Sequence, residues 1–217
     1  MYILNIETST KNCSVSLSQN GEIIALREDF SQGFIHSEML HQFIADLLQM
    51  SAVEYGQLSA IAIDKGPGSY TGLRIGSSTA KGLCYALDIP LIAIESLEIL
   101  ARRVQADDGI IVPMIDARRM EVYTAVFGAD YQKTGSTQAV ILNDNSFVDY
   151  NQKIYFVGDG VAKFKEISKV KDAEFFTQIQ YPSAEQMGEL AYQKFIQSDF
   201  ENVAYFEPFY LKEFYTG

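Results

Sequence analysis

Apolar and polar positions change their period along the chain, and the changes mark out the elements. Cys13, Val15 and Leu17 alternate with Ser14, Ser16 and Ser18, the two-residue period of a strand. Three consecutive strands are predicted, Tyr2 to Glu7, Cys13 to Ser18 and Glu22 to Arg27, and Asn20-Gly21 between the last two is a type I′ hairpin signal. After a polar linker at Ser31 to Phe34, the spacing of Met39, Leu40, Phe43, Ile44, Leu47 and Leu48 lengthens to three and four residues. That spacing predicts a helix from His36 to Met50 with one buried face. Leu58 to Ile63 reads as a short, fully buried strand; the loop Lys65-Gly-Pro-Gly-Ser-Tyr-Thr71 then leads into a helix over Gly72 to Leu87. Asp88-Ile89-Pro90 stops that helix, Leu91 to Ile94 is another buried strand, and Ser96 is suited to cap a third helix running to Val104.

The first half therefore reads β-β-β-α-β-α-β-α. Ala106-Asp-Asp-Gly109 is the clearest break in composition, and strands at Ile110 to Ile115 and Glu121 to Phe127 follow it at once. The boundary is placed there, giving domains 1–106 and 107–217. Edge strands around Ala139 to Leu142, a strand at Lys153 to Val157, a helix to Ile167, a strand at Glu174 to Thr177 and a helix at Ser183 to Ile196 complete the second half. The aromatic tail Tyr205 to Leu211 is expected to pack onto the body.

Composition narrows the function classes. The chain has 217 residues, 47% hydrophobic and 21% charged, as in ordinary globular proteins. Its apolar runs fall far short of the roughly 18 residues of a membrane span, and Met1 to Glu7 carries no basic leader; the expectation is a cytoplasmic protein. Cys13 and Cys84 are too few for a disulfide framework. A formal charge of −11 opposes unaided binding to a phosphate backbone.

Gly66-Pro-Gly-Ser-Tyr-Thr-Gly-Leu-Arg74 sits between a strand and a helix, where free backbone amides suit an anion. It fits neither the dinucleotide nor the triphosphate template, because Thr71 stands where glycine is wanted and no Gly-Lys-Ser/Thr follows. The plainer reading gives Gly66 and Gly68 positive φ and makes Ser69 or Thr71 the helix cap. Gly72, Gly76 and Ala80 form a small-residue stripe that lets something approach closely, either the chain's own first helix or a partner. Glu7-Thr8-Ser9-Thr10 ends the first strand with hydroxyls and amides that suit a phosphate or simply make a tight turn. Arg118 and Arg119 link two strands, as an anion clamp or a surface turn. Asp159, between Gly158 and Gly160, is a carboxylate candidate within a turn signal. His36 and His41 would lie about 140° apart on a helix, unsuited to share a metal, and no Gly-x-Ser-x-Gly elbow is present.

These segments carry a family resemblance. With Ile6-Glu-Thr-Ser-Thr10, His36-Ser-Glu38, Gly66-Pro-Gly-Ser-Tyr-Thr-Gly-Leu-Arg-Ile-Gly76 and Asp116-Ala-Arg-Arg-Met-Glu-Val-Tyr123, the whole chain resembles the TsaB (YeaZ) family. The resemblance implies an α/β protein of two ribonuclease-H-like domains of the actin-like ATPase superfamily, mixed sheets flanked by helices. It implies a noncatalytic scaffold that binds TsaD and acts with TsaE in forming N6-threonylcarbamoyladenosine at position 37 of tRNAs reading codons that begin with adenine. ATP would be used by the complex, no cofactor would be bound by this chain alone, and tRNA would be met only through the complex. The first two helices would pair with those of TsaD, or with a second copy when TsaD is absent, through His36, Leu40, Ile44, Gly72, Leu73, Gly76 and Ala80; replacing Gly76 by Leu should then abolish pairing and spare the fold. The other readings are a nucleotide-binding ATPase or kinase-like protein using Thr8, Ser9, Thr10, Arg118 and Arg119, and a metallopeptidase relative.

Overall fold

The computed structural model describes residues 1–30 and 36–212; the predicted linker at Ser31 to Phe34 lies outside them. The chain divides into two compact units, Met1–Ser96 with Ser183–Gly217, and Leu97–Pro182.

In the first unit, β1 (Tyr2–Glu7), β2 (Cys13–Gln19) and β3 (Glu22–Asp29) form an antiparallel meander. Asn20 and Gly21 turn its second corner with φ of 52° and 93°, the two positive values a type I′ turn requires. Then come α1 (His36–Met50), β4 (Leu58–Asp64), α2 (Tyr70–Leu87), β5 (Leu91–Ile94) and, at the junction of the two units, α3 (Ser96–Ala101). Strands β4 and β5 add in parallel, so the sheet order is β3-β2-β1-β4-β5. Leu4, Ile6, Val15, Leu17, Leu40, Ile44, Leu47, Ile61 and Ile63 make one buried cluster, the joint product of the two-residue and 3.6-residue periods read from the sequence.

The second unit repeats the order of the sheet with fewer helices. β6 (Ile110–Asp116) pairs antiparallel with β7 (Glu121–Thr124) and parallel with β10 (Ile154–Val157); β9 (Gln138–Ile141) and β11 (Ala173–Phe176) lie outside them. The single strand expected over Glu121 to Phe127 breaks after Thr124, and β8 (Phe127–Gly128) pairs separately with β6. Helix α4 spans Val161–Lys165. Its core is aromatic, with Phe156 and Phe164 edge to face at 5.1 Å.

The division of the chain departs from the boundary expected at 106/107. The segment from Ser183 through α5 (Met187–Ile196) belongs to the first unit, because it covers the serine side of β2. The Ala184 N–H donates to Ser14 Oγ at 3.0 Å, Ser16 Oγ donates to the Ala184 carbonyl at 2.7 Å, and Ser183 Oγ donates to Glu28 Oε2 at 2.6 Å. Both faces of β2 are thereby buried, and its hydroxyls are satisfied instead of being stranded in the interior. Among the described residues no helix is long and apolar enough to cross a membrane.

Candidate functional site

The end of β1, where sequence placed the candidate phosphate turn, is closed. Glu7, Thr8 and Ser9 are fully buried and Thr10 nearly so. Their hydroxyls and amides point at carboxylates: Ser9 N–H and Oγ–H both donate to Glu7 Oε1 at 2.7 Å, and Thr8 N–H and Oγ–H donate to Asp64 Oδ1 at 2.7 and 3.1 Å. Asp64 arrives from the end of the neighbouring parallel strand β4. Burial pushes both carboxyls up, Asp64 to about 7 against the opposing bonds from Thr8, and Glu7 well above its usual range, with the Asp64 charge beside it adding to the effect. Two like charges in a dry site cannot both ionise cheaply, so burial and the neighbouring carboxyl both favour the protonated form.

The glycine loop makes the closure possible. The Ser69 N–H donates to the Ser9 carbonyl at 2.6 Å, and a Cβ on Gly68 would sit 2.3 Å from that same oxygen. Gly66 has φ of 93° as expected. Gly68 does not; its lack of a side chain serves close approach to Ser9, not a left-handed backbone. Ser69 caps α2, its Oγ accepting from the Gly72 N–H at 3.3 Å. The loop therefore spends its helix N-terminus on the chain's own turn.

The small-residue stripe is explained by the same contact. A Cβ on Gly72 would lie 2.1 Å from the Thr8 carbonyl, and one on Gly76 would lie 2.2 Å from Thr8 Oγ1 and 3.0 Å from Ile63 Cδ1. Leu73 and Ala80 are buried with them, as are His36, Leu40 and Ile44 on α1. All seven residues expected at a partner surface thus face the interior. A leucine at Gly76 would strike Thr8 and Ile63, so it tests the fold and not an interface. The exposed sides of α1 and α2 are different residues. His41, Ser78, Thr79, Gly82 and Leu83 line a groove of about 290 Å³, Gly82 has open space where its Cβ would be, and Tyr85 is 87% exposed.

Arg118 and Arg119 are exposed in the second unit, and Thr8, Ser9 and Thr10 belong to the first. Both take positive φ, 72° and 51°, in a turn organised from beneath. Lys163 Nζ donates at 2.8 Å to Asp116 Oδ1 and to the carbonyls of Arg119 and Glu121, while the Arg118 N–H donates to Asp116 Oδ1 at 2.6 Å. Asp159 has a structural task there, accepting the Asp116 N–H at 2.7 Å. His36 sits at the start of α1 with Nε2 donating to the Asn12 carbonyl at 3.2 Å. Among the described residues no three His, Cys, Asp or Glu side chains cluster as metal ligands.

Sequence reasoning missed Asp64, although a carboxylate ending a buried strand just before a glycine loop was the available signal. It also missed the groove, because its residues, His41 on α1 and Ser78 to Leu83 on α2, come together only when the two helices pack.

Comparison with known proteins agrees with the motifs. A family model described as TsaD, tRNA N6-adenosine threonylcarbamoyltransferase, matches residues 34–215. The tRNA threonylcarbamoyladenosine biosynthesis protein TsaB of Bacillus subtilis (strain 168) is 38% identical over 145 residues, 67% of this chain and 62% of that protein. The TsaB of Escherichia coli (strain K12) is 29% identical over 225 residues, 98% of this chain and 95% of that protein. The chain belongs to the TsaB (YeaZ) family. The structure of YeaZ from Pseudomonas aeruginosa superposes with a TM-score of 0.82 at 26% identity, covering 97% of this chain and 99% of that one. The β-β-β-α-β-α-β order of the first unit and the matching sheet order of the second place this TsaB-family chain in the actin-like ATPase fold, and its role lies in tRNA threonylcarbamoyladenosine biosynthesis.

Proposed function

We propose that this chain is the noncatalytic scaffold subunit that binds TsaD during formation of N6-threonylcarbamoyladenosine at position 37 of tRNAs reading codons that begin with adenine. The observation that carries the reading is the closed β1 turn. Its amides and hydroxyls are spent on Glu7 and Asp64, and the Gly66–Ser69 loop occupies the space above them. A phosphate there would have to displace the chain's own backbone and meet two buried carboxyls. That opposes the nucleotide-binding reading of Thr8, Ser9 and Thr10.

TsaD docks on the outward side of α1 and α2, at the groove around His41, Ser78 and Gly82 beside Tyr85. Ser78, Thr79 and Gly82 in the groove let a helix approach closely, and the exposed Tyr85, three residues after Gly82 on α2, is a typical interface anchor. A second copy of this chain takes the same face when TsaD is absent. ATP and TsaE act on the assembled complex, and tRNA is held there by the partners, since a charge of −11 repels a phosphate backbone.

Size-exclusion chromatography with light scattering, on this chain alone and mixed with TsaD, tests the association, and tRNA modification assayed with and without the chain tests the role. A stoichiometric mixed complex and loss of modification on omission are expected. Gly82→Arg should abolish association while leaving the melting transition in place. Association unchanged in that variant would refute the docking face, and modification proceeding without the chain would refute the scaffold reading.

A further inference from the structure

Three layers lie over the end of β1. The innermost is the turn at Thr8 to Thr10, and the middle one is the Gly66–Ser69 loop. The outermost is the segment 201–210, which runs back across the first unit after α5. It is attached at its two ends. At one end the Glu201 N–H donates to the Leu91 carbonyl at 2.9 Å, and the Lys81 ammonium donates to the carbonyls of Ala204 and Phe206 at 3.2 and 3.0 Å, next to the buried Phe206 ring. At the other, the Phe209 N–H donates to the Lys65 carbonyl at 2.7 Å and the Tyr210 ring lies 4.8 Å from that of Tyr70. The segment borders an open cavity of about 380 Å³, with Lys65, Asn202, Tyr205 and Phe209 among its walls. Tyr205 projects outward, 84% exposed.

The middle layer is held from both sides. On its inner side the Ser69 N–H donates to Ser9, the Lys65 N–H to the Ile94 carbonyl at 2.8 Å, and the Ser96 N–H to the Gly66 carbonyl at 3.1 Å. On its outer side sits Phe209, whose carbonyl oxygen lies 2.9 Å from where a Cβ on Gly66 would be. Glycine at 66 and 68 lets the loop be pressed between strap and turn with no side chain in the way. Along the segment Phe206 and Pro208 are buried and Val203 packs on the same core as Phe206, while Glu201, Asn202, Ala204, Tyr205, Glu207 and Phe209 are exposed; a segment buried at so few positions opens below the free energy of global unfolding. The five-stranded sheet beneath has no such weakness.

We infer that residues 201–210 form a latch: its release lets the Gly66–Ser69 loop lift from the β1 turn, and so decides whether Thr8, Ser9 and the Glu7 and Asp64 carboxyls can be reached from solvent. The strap is a control on access to that turn and not only a packed tail.

Amide hydrogen exchange on the full-length chain tests this, with Ser9 and Ser69 as reporters because their N–H groups are bonded beneath the latch. Phe209→Pro deletes the donor to Lys65, and Lys81→Met with Tyr210→Ala removes an attachment at each end. Both variants should exchange Ser9 and Ser69 at least about tenfold faster than wild type, with Leu4 in β1 and Val112 in β6 unchanged. Tyr205→Ala, which removes an outward side chain and no attachment, should match wild type. Unchanged exchange at Ser9 and Ser69 in Phe209→Pro would overturn the proposal. So would equal acceleration across the whole first sheet, or acceleration in Tyr205→Ala, since either would make the segment ordinary packing.

Discussion

Helix α2 contains three glycines whose replacement by alanine should have opposite consequences, although the chemistry of the change is the same. In an exposed helix interior, alanine is favoured over glycine by about 0.5–1 kcal/mol. Gly82 has nothing within 4 Å of its would-be Cβ, so Gly82→Ala should stabilise by about that amount. At Gly76 the new methyl group would stand 2.2 Å from Thr8 Oγ1 and 3.0 Å from Ile63 Cδ1, where about 3.5 Å is comfortable. Thr8 must give way, yet its hydroxyl donates to Asp64 at 3.1 Å, a bond worth about 0.5–1.5 kcal/mol. Overpacking adds about 1–3 kcal/mol. After the helix preference is returned, Gly76→Ala should destabilise by about 0.5–4 kcal/mol. Gly72→Ala should be worse, because the atom it meets at 2.1 Å is the Thr8 backbone carbonyl, which moves only with the whole turn. Urea denaturation of the three variants against wild type reads all three values. If Gly76→Ala is as stable as wild type, or if Gly82→Ala falls with the other two, the packing of α2 onto the β1 turn is wrong as described.

Two further outcomes follow from burial. Asp64 is raised from its usual range to about 7, so the folded state holds its proton more tightly than the unfolded chain; its contribution is complete below about pH 4 and is lost as pH rises through 7. Asp64→Asn keeps an acceptor for Thr8 and cannot ionise, so its stability relative to wild type should grow between pH 4 and 8, by about 4 kcal/mol at most; denaturation at several pH values giving a constant difference would refute the buried carboxyl pair. Cys13 and Cys84 are buried, with burial pushing both thiols up to about 12, and native protein at pH 8 should leave both unreacted with a thiol-disulfide dye until denaturant is added; prompt reaction of either would contradict its placement.

Much of the architecture was legible locally. The alternation around Cys13, Val15 and Leu17, the three-and-four spacing from Met39 to Leu48 and the Asn20-Gly21 pair specified strand, helix and turn, because each depends on residues a few positions apart. The glycine loop and the Asp116-Ala-Arg-Arg segment sufficed to find the family. What the sequence could not decide is what each buried face is buried against. The periodicity of α1 and the small stripe of α2 say that Leu40, Ile44, Gly72 and Gly76 are covered, but a strand turn and a partner helix leave the same pattern. Only the folded chain shows Thr8 filling the space above Gly72 and Gly76. The compact units were misplaced for the same reason: the bonds that bring Ser183 and Ala184 onto Ser14 and Glu28 join residues 155 to 170 positions apart, and nothing in either local segment announces the other. Periodicity records that water is excluded from a face; the neighbour that excludes it is chosen by long-range packing, and in this chain that choice turned a candidate phosphate turn and a candidate partner surface into one closed interior.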